Sequence, residues 1–82
     1  MEKEVNLYVT STSPDTDKIQ DYLTGEGIDF KLHNIHDDVK AYKRMLEATR
    51  GACGAPVVEI GNQIVCGFDS NRLEETLAYE LH

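Results

Sequence analysis

The sequence predicts an α/β domain with a four-stranded mixed sheet flanked by three helices, in the order β-α-β-α-β-β-α. Two observations support this prediction. Short apolar runs that alternate with polar residues are separated by segments with helical spacing. A Gly-Asn pair then joins the last two apolar runs, as in a two-residue β-hairpin. The length of 82 residues fits a single domain spanning 1–82.

The first half of the chain predicts a strand–helix–strand unit. Val5 to Val9 alternates apolar and polar side chains, which is typical of a strand. A helix is expected to begin at Ser13-Pro14, because serine is a good helix cap and proline suits the first helical position. Gly25 is expected to end it, and a second strand follows over Ile28 to Ile35. Connections of this type are right-handed, so the two strands are expected to be parallel.

A second helix is predicted from Asp37-Asp38 to Arg50. Its packing face is expected to consist of three apolar residues at helical spacing, widened by two more: Val39, Tyr42 and Leu46, with Ala41 and Met45.

The second half of the chain predicts a loop, a hairpin and a helix. Two glycines and a proline within residues 51–56 indicate a loop of special geometry. Strands are predicted at 57–60 and 63–66. Asp69 or Ser70 then caps the third helix.

Charge and composition exclude several partners. The chain has 15 acidic and 8 basic residues, a net charge of −7, and no basic cluster longer than Lys43-Arg44. Phosphate backbones attract clustered lysine and arginine, so nucleic acid and anionic membranes are not expected partners. No apolar run approaches the roughly 18 residues of a membrane span, and residues 1–4 lack the features of a signal peptide. The expected location is the cytoplasm.

The two cysteines are expected to be reduced thiols, as is usual in the cytoplasm. With Ile60 opposite Gln63 in the hairpin, Cys66 lies opposite Val57. In an extended hairpin, Cys53 then lies about four residues beyond that partner, or roughly 13 Å at the rise of a strand. A disulfide needs Cα atoms within about 7 Å. A Cys53–Cys66 bridge is therefore possible only if the loop turns back, and it is not predicted.

Five segments, in the correct order and spacing, resemble the glutaredoxin branch of the thioredoxin fold. They are the opening strand, the approach to the second strand, a small-residue–proline segment in which the family's proline is cis, the hairpin, and a Gly-aromatic-Asp turn: Val5-Asn6-Leu7-Tyr8, Gly27-Ile28-Asp29-Phe30, Ala55-Pro56-Val57-Val58, Ile60-Gly61-Asn62-Gln63 and Gly67-Phe68-Asp69. The resemblance covers almost the whole chain. It implies a thioredoxin/glutaredoxin-like fold and a role in thiol redox homeostasis.

The family's catalytic motif is missing. Where the family has Cys-Pro-x-Cys, this chain has Ser13-Pro14-Asp15-Thr16, and Thr10 replaces the family's lysine. A helix N-terminus lowers the pKa of a thiol enough to ionise it, but a serine hydroxyl stays protonated there. Ser13 is therefore interpreted as a helix cap, and Thr16 as a spacer or local hydrogen-bonding group. Whether the protein is an enzyme is left open by the sequence.

The resemblance also implies a groove that binds glutathione or a peptide. Ala55 precedes the proline and would offer its backbone N–H and C=O to an extended partner. Asp69 would hold the charged ends of glutathione or serve only as a helix cap. The expected ligand-binding residues share the rim of this groove: Ser13, Pro14, Ala55, Pro56, Gly67 and Asp69. Glutathione is expected to bind weakly, because the family's cysteine and lysine are absent.

No cofactor or metal is expected. Monothiol relatives hold an iron–sulfur cluster through the cysteine that is missing here, which argues against a cluster. His33 and His36 lack further ligands at a spacing suited to a metal ion.

Cys53 and Cys66 border the implied groove and are the candidate catalytic residues. Cys53 lies in a Gly-rich loop that is expected to be exposed, so it is the better candidate for a reactive thiol. Cys66 is interpreted first as a small apolar residue at the end of a strand.

Three functions remain open. The first is a glutaredoxin-like protein that has lost its dithiol, is weakly active or inactive, and keeps a glutathione or peptide groove. The second is an active thiol–disulfide oxidoreductase that uses Cys53, with or without Cys66. The third is a protein-interaction module acting through another surface.

Overall fold

Seven elements follow one another in the predicted order β-α-β-α-β-β-α. The computed structural model describes residues 4–10, 14–61 and 63–81. Its elements are β1 (Val5–Val9), α1 (Pro14–Gly25), β2 (Lys31–Asn34), α2 (Val39–Thr49), β3 (Val57–Ile60), β4 (Gln63–Cys66) and α3 (Ser70–Leu81). Ser13, the predicted cap of the first helix, lies outside the described residues.

The four strands form one mixed sheet in the order β2-β1-β3-β4. β1 and β2 are parallel, as expected for strands joined through α1. β3 is antiparallel to both β1 and β4. β1 and β3 are therefore the central strands, and β2 and β4 are the two edges.

The register of the β3–β4 hairpin confirms the predicted pairing. Ile60 lies opposite Gln63, and Val57 lies opposite Cys66. Gly61 has a φ of +58°, the left-handed conformation that glycine adopts readily in tight hairpin turns. The other predicted turn residue, Asn62, lies outside the described residues.

The sheet is covered on both faces. The larger cluster of buried residues joins α1 and α3 to three strands: Val5, Leu7, Val9, Ile19, Leu23, Val58, Ile60, Val65, Leu73 and Leu77. The smaller cluster joins α2 to the opposite face: Tyr8, Ala41, Met45 and Val57. β1 and β3 contribute to both clusters, because successive side chains of a strand point to opposite faces.

The second strand is shorter than predicted, and one of its apolar residues is exposed. Ile28 and Phe30 precede β2 and pack against the larger cluster from the loop. Leu32 is 53% exposed. Its strand is an edge of the sheet, so its side chain has a neighbouring strand on one side only.

The packing face of α2 differs from the predicted one. Met45 is 2% exposed, whereas Val39, Tyr42 and Leu46 are 65%, 43% and 37% exposed. Two contacts determine which side of α2 faces the sheet. Tyr8 is large and packs in the same cluster as the small Ala41. Arg44, on the neighbouring side of the helix, reaches the buried carboxylate of Glu59. Helical spacing alone did not identify the correct stripe.

Within the part of the chain that the structure describes, no helix combines the length and the apolar character needed to cross a bilayer.

Substitutions at the adjacent residues Met45 and Leu46 test which side of α2 faces the sheet. We expect Met45→Ala to lower the free energy of unfolding by about 2–5 kcal/mol, because it leaves a cavity in the core. Leu46→Ala is the matched control and should change it by less than about 1 kcal/mol, because Leu46 is partly exposed and alanine favours helix. Urea denaturation monitored by circular dichroism measures both values. A larger loss of unfolding free energy for Leu46→Ala than for Met45→Ala would contradict the observed orientation of α2.

Candidate functional site

A disulfide joins Cys53 to Cys66, with their Cα atoms 6.0 Å apart. The expectation of two unbridged thiols is therefore wrong. That expectation assumed an extended chain before β3, but the loop turns at Gly51, which has a φ of +74°, and bends at Ala52 and again at Ala55-Pro56. These turns bring Cys53 back towards the end of β4.

The exposure of the two cysteines is the reverse of the prediction. Cys66 is exposed, although it was expected to fill the end of a strand. Cys53 is only partly exposed and packs against the cluster under α2 that contains Tyr8, Met45 and Val57. A reactant in solution therefore meets the Cys66 side of the disulfide first.

Three of the predicted groove residues lie beside the disulfide. The Ala55-Pro56 peptide bond is cis. The N–H of Gly67, which directly follows Cys66, donates to the carbonyl oxygen of Pro56 at 2.8 Å. Among the described residues, no hydrogen bond occupies the N–H or C=O of Ala55. The structure thus brings Ala55, Pro56 and Gly67 together next to both cysteines.

Asp69 has the contacts of a helix cap. Its Oδ1 accepts a hydrogen bond from the N–H of Arg72 at 3.1 Å, and its carbonyl oxygen accepts from the N–H of Leu73 at 2.9 Å. Both bonds satisfy donors at the start of α3, as an N-cap residue does. The glutathione contact implied by the family resemblance stays a prediction.

The start of α1 carries no sulfur. Pro14 is the first residue of the helix, as predicted, and Ser13 lies outside the described residues. Thr16 is 6% exposed, and its Oγ1 has no hydrogen-bond partner in the described part of the chain. Thr16 is therefore a buried spacer, and it forms no local hydrogen bond with the residues that the structure describes.

A buried carboxylate supports the α2 side of the site. Glu59 is 5% exposed. Its Oε1 accepts a hydrogen bond from the hydroxyl of Tyr8 at 2.9 Å, and its Oε2 accepts from Arg44 at 3.0 Å. Arg44 is largely exposed, so it links the buried negative charge to solvent. Burial of Tyr8, assisted by its hydrogen bond to Glu59, raises the pKa of the phenol to about 12.

The sequence contains a signal for this network that hydrophobic periodicity alone does not reveal. Glu59 is the only charged residue within a β-branched apolar strand, and the flanking residues show that the strand is buried on both faces. A buried acid needs a partner. Tyr8 also stacks on His33 with ring centroids 5.1 Å apart, and His33 Nε2 lies 2.8 Å from Asn6 Oδ1.

No group of three or more histidine, cysteine, aspartate or glutamate residues is placed to hold a metal ion among residues 4–10, 14–61 and 63–81.

Comparison with known proteins identifies relatives along almost the whole chain. The sequence profile of the Glutaredoxin family matches residues 5–65. An uncharacterised glutaredoxin-like 8.6 kDa protein of the rubredoxin operon of Clostridium pasteurianum is 30% identical over 73 residues, which cover 89% of this chain and 96% of that protein.

Two solved glutaredoxin structures superpose on most of this chain. A glutaredoxin from Archaeoglobus fulgidus superposes with a TM-score of 0.79 and 26% identity, covering 92% of this chain and 86% of that one. A glutaredoxin from Methanosarcina mazei gives a TM-score of 0.78 over 90% of this chain and 77% of that one; at 24% identity it supports the fold alone.

The disulfide predicts a stability difference between the oxidised and reduced protein. It links residues 13 positions apart, so reduction should lower the free energy of unfolding by about 3 kcal/mol through release of the loop. Urea denaturation with and without a reducing agent measures the difference. Cys66→Ser is the control, and its stability should not respond to the reducing agent. Equal stability of the oxidised and reduced wild-type protein would contradict the prediction.

The raised pKa of Tyr8 predicts a loss of stability at high pH. The phenol's pKa is higher in the folded protein than the ordinary value of 10.0. Its contribution is thus fully present below about pH 10 and is lost as the pH rises towards about 12. Tyr8→Phe should be less stable than the wild type by about 1.5–3 kcal/mol at neutral pH, because the lost hydrogen bond has a charged acceptor.

Urea denaturation measures the difference in unfolding free energy between the wild type and Tyr8→Phe. This difference should narrow as the pH rises from about 10 to about 12. Tyr42→Phe, at an exposed position, is the matched control and should show no gap at any pH. A gap for Tyr8→Phe that stays constant above pH 10 would contradict the assigned pKa.

Proposed function

Because the chain belongs to the glutaredoxin family, we propose that it is a thiol–disulfide exchange protein whose redox centre is the Cys53–Cys66 pair. The disulfide beside the Pro56–Gly67 contact is the observation that carries this proposal. The chain contains no other cysteine. Any thiol chemistry within this chain must therefore use these two residues, in place of the family positions held by Ser13 and Thr16.

The difference in exposure supports a separate role for each sulfur. A thiolate of a partner dithiol attacks Sγ of the exposed Cys66, the Cys53–Cys66 bond breaks, and Cys53 leaves as a thiolate that takes up a proton from solvent. The second thiolate of the partner then attacks the partner sulfur of the mixed disulfide. The bond to Cys66 breaks, and Cys66 leaves as a thiolate that takes up a proton from solvent. Two electrons and two protons pass from the partner dithiol to the protein. The reverse sequence reduces a partner disulfide.

The cytoplasmic location predicted from the sequence favours a redox-active pair. Disulfides in that compartment are usually transient and either catalytic or redox-sensing, because cellular thiols reduce the others.

A second candidate function is binding without exchange. No described residue occupies the N–H or C=O of Ala55, which favours this function, because an extended peptide or glutathione can form two backbone hydrogen bonds there without a protein thiol. In this case the disulfide would be structural, and the protein would be a weak or inactive member of its family.

Exchange assays on cysteine variants test the proposed function. The oxidised protein is mixed with dithiothreitol, and the reduced protein with hydroxyethyl disulfide, and the products are resolved by mass spectrometry after acid quenching. Cys53→Ala should accumulate a mixed disulfide at Cys66, since no second protein thiol remains to resolve it. Cys66→Ala should react on the order of ten-fold more slowly, because Cys53 is less accessible.

Thr24→Ala, at an exposed position of α1, is the control and should exchange at the wild-type rate. If the wild-type protein exchanges with neither reagent, the proposal is wrong. Chemical-shift changes at Ala55 on addition of glutathione, without exchange, would then support the binding function.

A further inference from the structure

We propose that a protein partner delivers its thiol by adding a strand to the open edge of β4. An extended segment of that partner pairs antiparallel with Gln63–Cys66 and places a cysteine opposite Cys66. This inference rests on the proposed function and names the class of partner: a cysteine-containing segment that is extended and free to form backbone hydrogen bonds.

The edge at β4 lacks the charged residues and proline that often block strand addition. β4 is the last strand of the sheet and has a neighbour on one side only. Its sequence, Gln63 to Cys66, contains no charged residue and no proline. By contrast, the opposite edge begins with Lys31, which forms an ion pair with Glu4 at 2.7 Å. Lysine and proline are the residues that commonly protect an edge.

The direction of the backbone groups on β4 follows from one hydrogen bond. The N–H of Gly67 donates to Pro56, so it points towards the β3 side. Backbone groups alternate in direction along a strand. The N–H and C=O groups of Cys66 and Ile64 therefore point away from β3, towards the side with no neighbouring strand.

The spacing of an added strand suits disulfide formation. Residues that exchange two hydrogen bonds across an antiparallel pair have Cα atoms about 5.5 Å apart. A disulfide accommodates Cα separations of about 4.4–6.8 Å. The Cα atom of a partner cysteine paired with Cys66 would thus lie within the range that a mixed disulfide requires.

The orientation of the disulfide also suits attack from this edge. Cys53 lies on the inner side of Cys66, where it packs against the cluster that contains Tyr8 and Val57. Thiolates attack a disulfide along its sulfur–sulfur axis, from the side opposite the leaving sulfur. A thiolate arriving along the open edge approaches Cys66 from that side, and Cys53 leaves towards the interior.

A depression beside the same edge suggests a second determinant of which partner segment binds. It has a volume of about 300 Å³ and is lined by Gln63 and by residues of α3 that include Arg72 and Tyr79. In an antiparallel partner, the residue opposite Gln63 is the third after the cysteine, and its side chain points to the α3 face. We expect a long side chain with a polar end at this position.

Backbone-methylated peptides test strand addition with the wild-type protein. The probes are heptapeptides with one central cysteine, reacted with the oxidised protein. In one peptide, methylation of the backbone nitrogen two residues after the cysteine removes a group that faces β4. In the matched control, methylation one residue after the cysteine alters a group that faces away. We expect the first change to slow formation of the mixed disulfide by about five-fold or more and the control to change the rate by less than about two-fold.

Proline substitutions at the two sheet edges give the same test from the protein side. Ile64→Pro removes an outward N–H without breaking the β3–β4 ladder, a position at which proline is tolerated. It should slow the peptide reaction about five-fold and leave the dithiothreitol reaction unchanged. Leu32→Pro removes an outward N–H from the β2 edge. The N–H of Ile35 donates to Val9 and so points towards β1. Because backbone groups alternate in direction along a strand, the N–H of Leu32 points outward. It should affect neither reaction. If Ile64→Pro does not fold, the methylated peptides decide.

The outcomes separate this inference from the proposed function. Equal rates for the two methylated peptides, with normal dithiothreitol exchange, would overturn strand addition and leave the redox centre intact. Failure of the oxidised protein to react with dithiothreitol would overturn both. A dimer that excludes the peptide would show that a second copy occupies the edge, which would also overturn the proposed partner.

Discussion

The antiparallel register of β3 and β4 is the constraint on which the Cys53–Cys66 disulfide depends. Val57 begins β3 directly after the proline, and the ladder fixes Cys66 opposite it. One residue of slippage would turn Cys66 to the other face of the sheet. It would then point towards α1 and α3 and could not meet a cysteine from the loop. Gly61 maintains the register by supplying the left-handed conformation of a two-residue turn.

The α2 face of the sheet combines an apolar half with a polar half. Near the disulfide, Met45 and Val57 form an apolar cluster against which Cys53 packs. Further from it, the acid at Glu59 is held by Tyr8 and Arg44. Tyr8 belongs to both halves, since its ring packs with the cluster and its hydroxyl binds the carboxylate. A charge at this depth requires such partners, and they also determine which side of α2 faces the sheet.

Much of the fold could be predicted from the sequence, because it depends on local patterns. Alternation defined the strand at Val5–Val9, and the Gly-Asn pair set the hairpin register to the residue. The packing side of α2 could not be found in this way, because it depends on contacts with Tyr8 and Glu59, which are distant in sequence. The disulfide was missed for a related reason. The estimate of 13 Å treated residues 51–56 as extended, whereas loop geometry depends on individual backbone conformations such as that of Gly51. The resemblance to the family placed Pro56 and Gly67 at one groove, and these two residues do lie together.

The unequal edges of the sheet also limit how large an assembly can become. A sheet that is open at both edges can grow without end, as in fibrils. Here Lys31 and its ion pair with Glu4 protect one edge, which favours strand addition at β4. A symmetric contact between two β4 strands uses both open edges and closes at a dimer. Strand pairing through the β4 edge would thus end at a dimer, even though that edge of the sheet is uncovered.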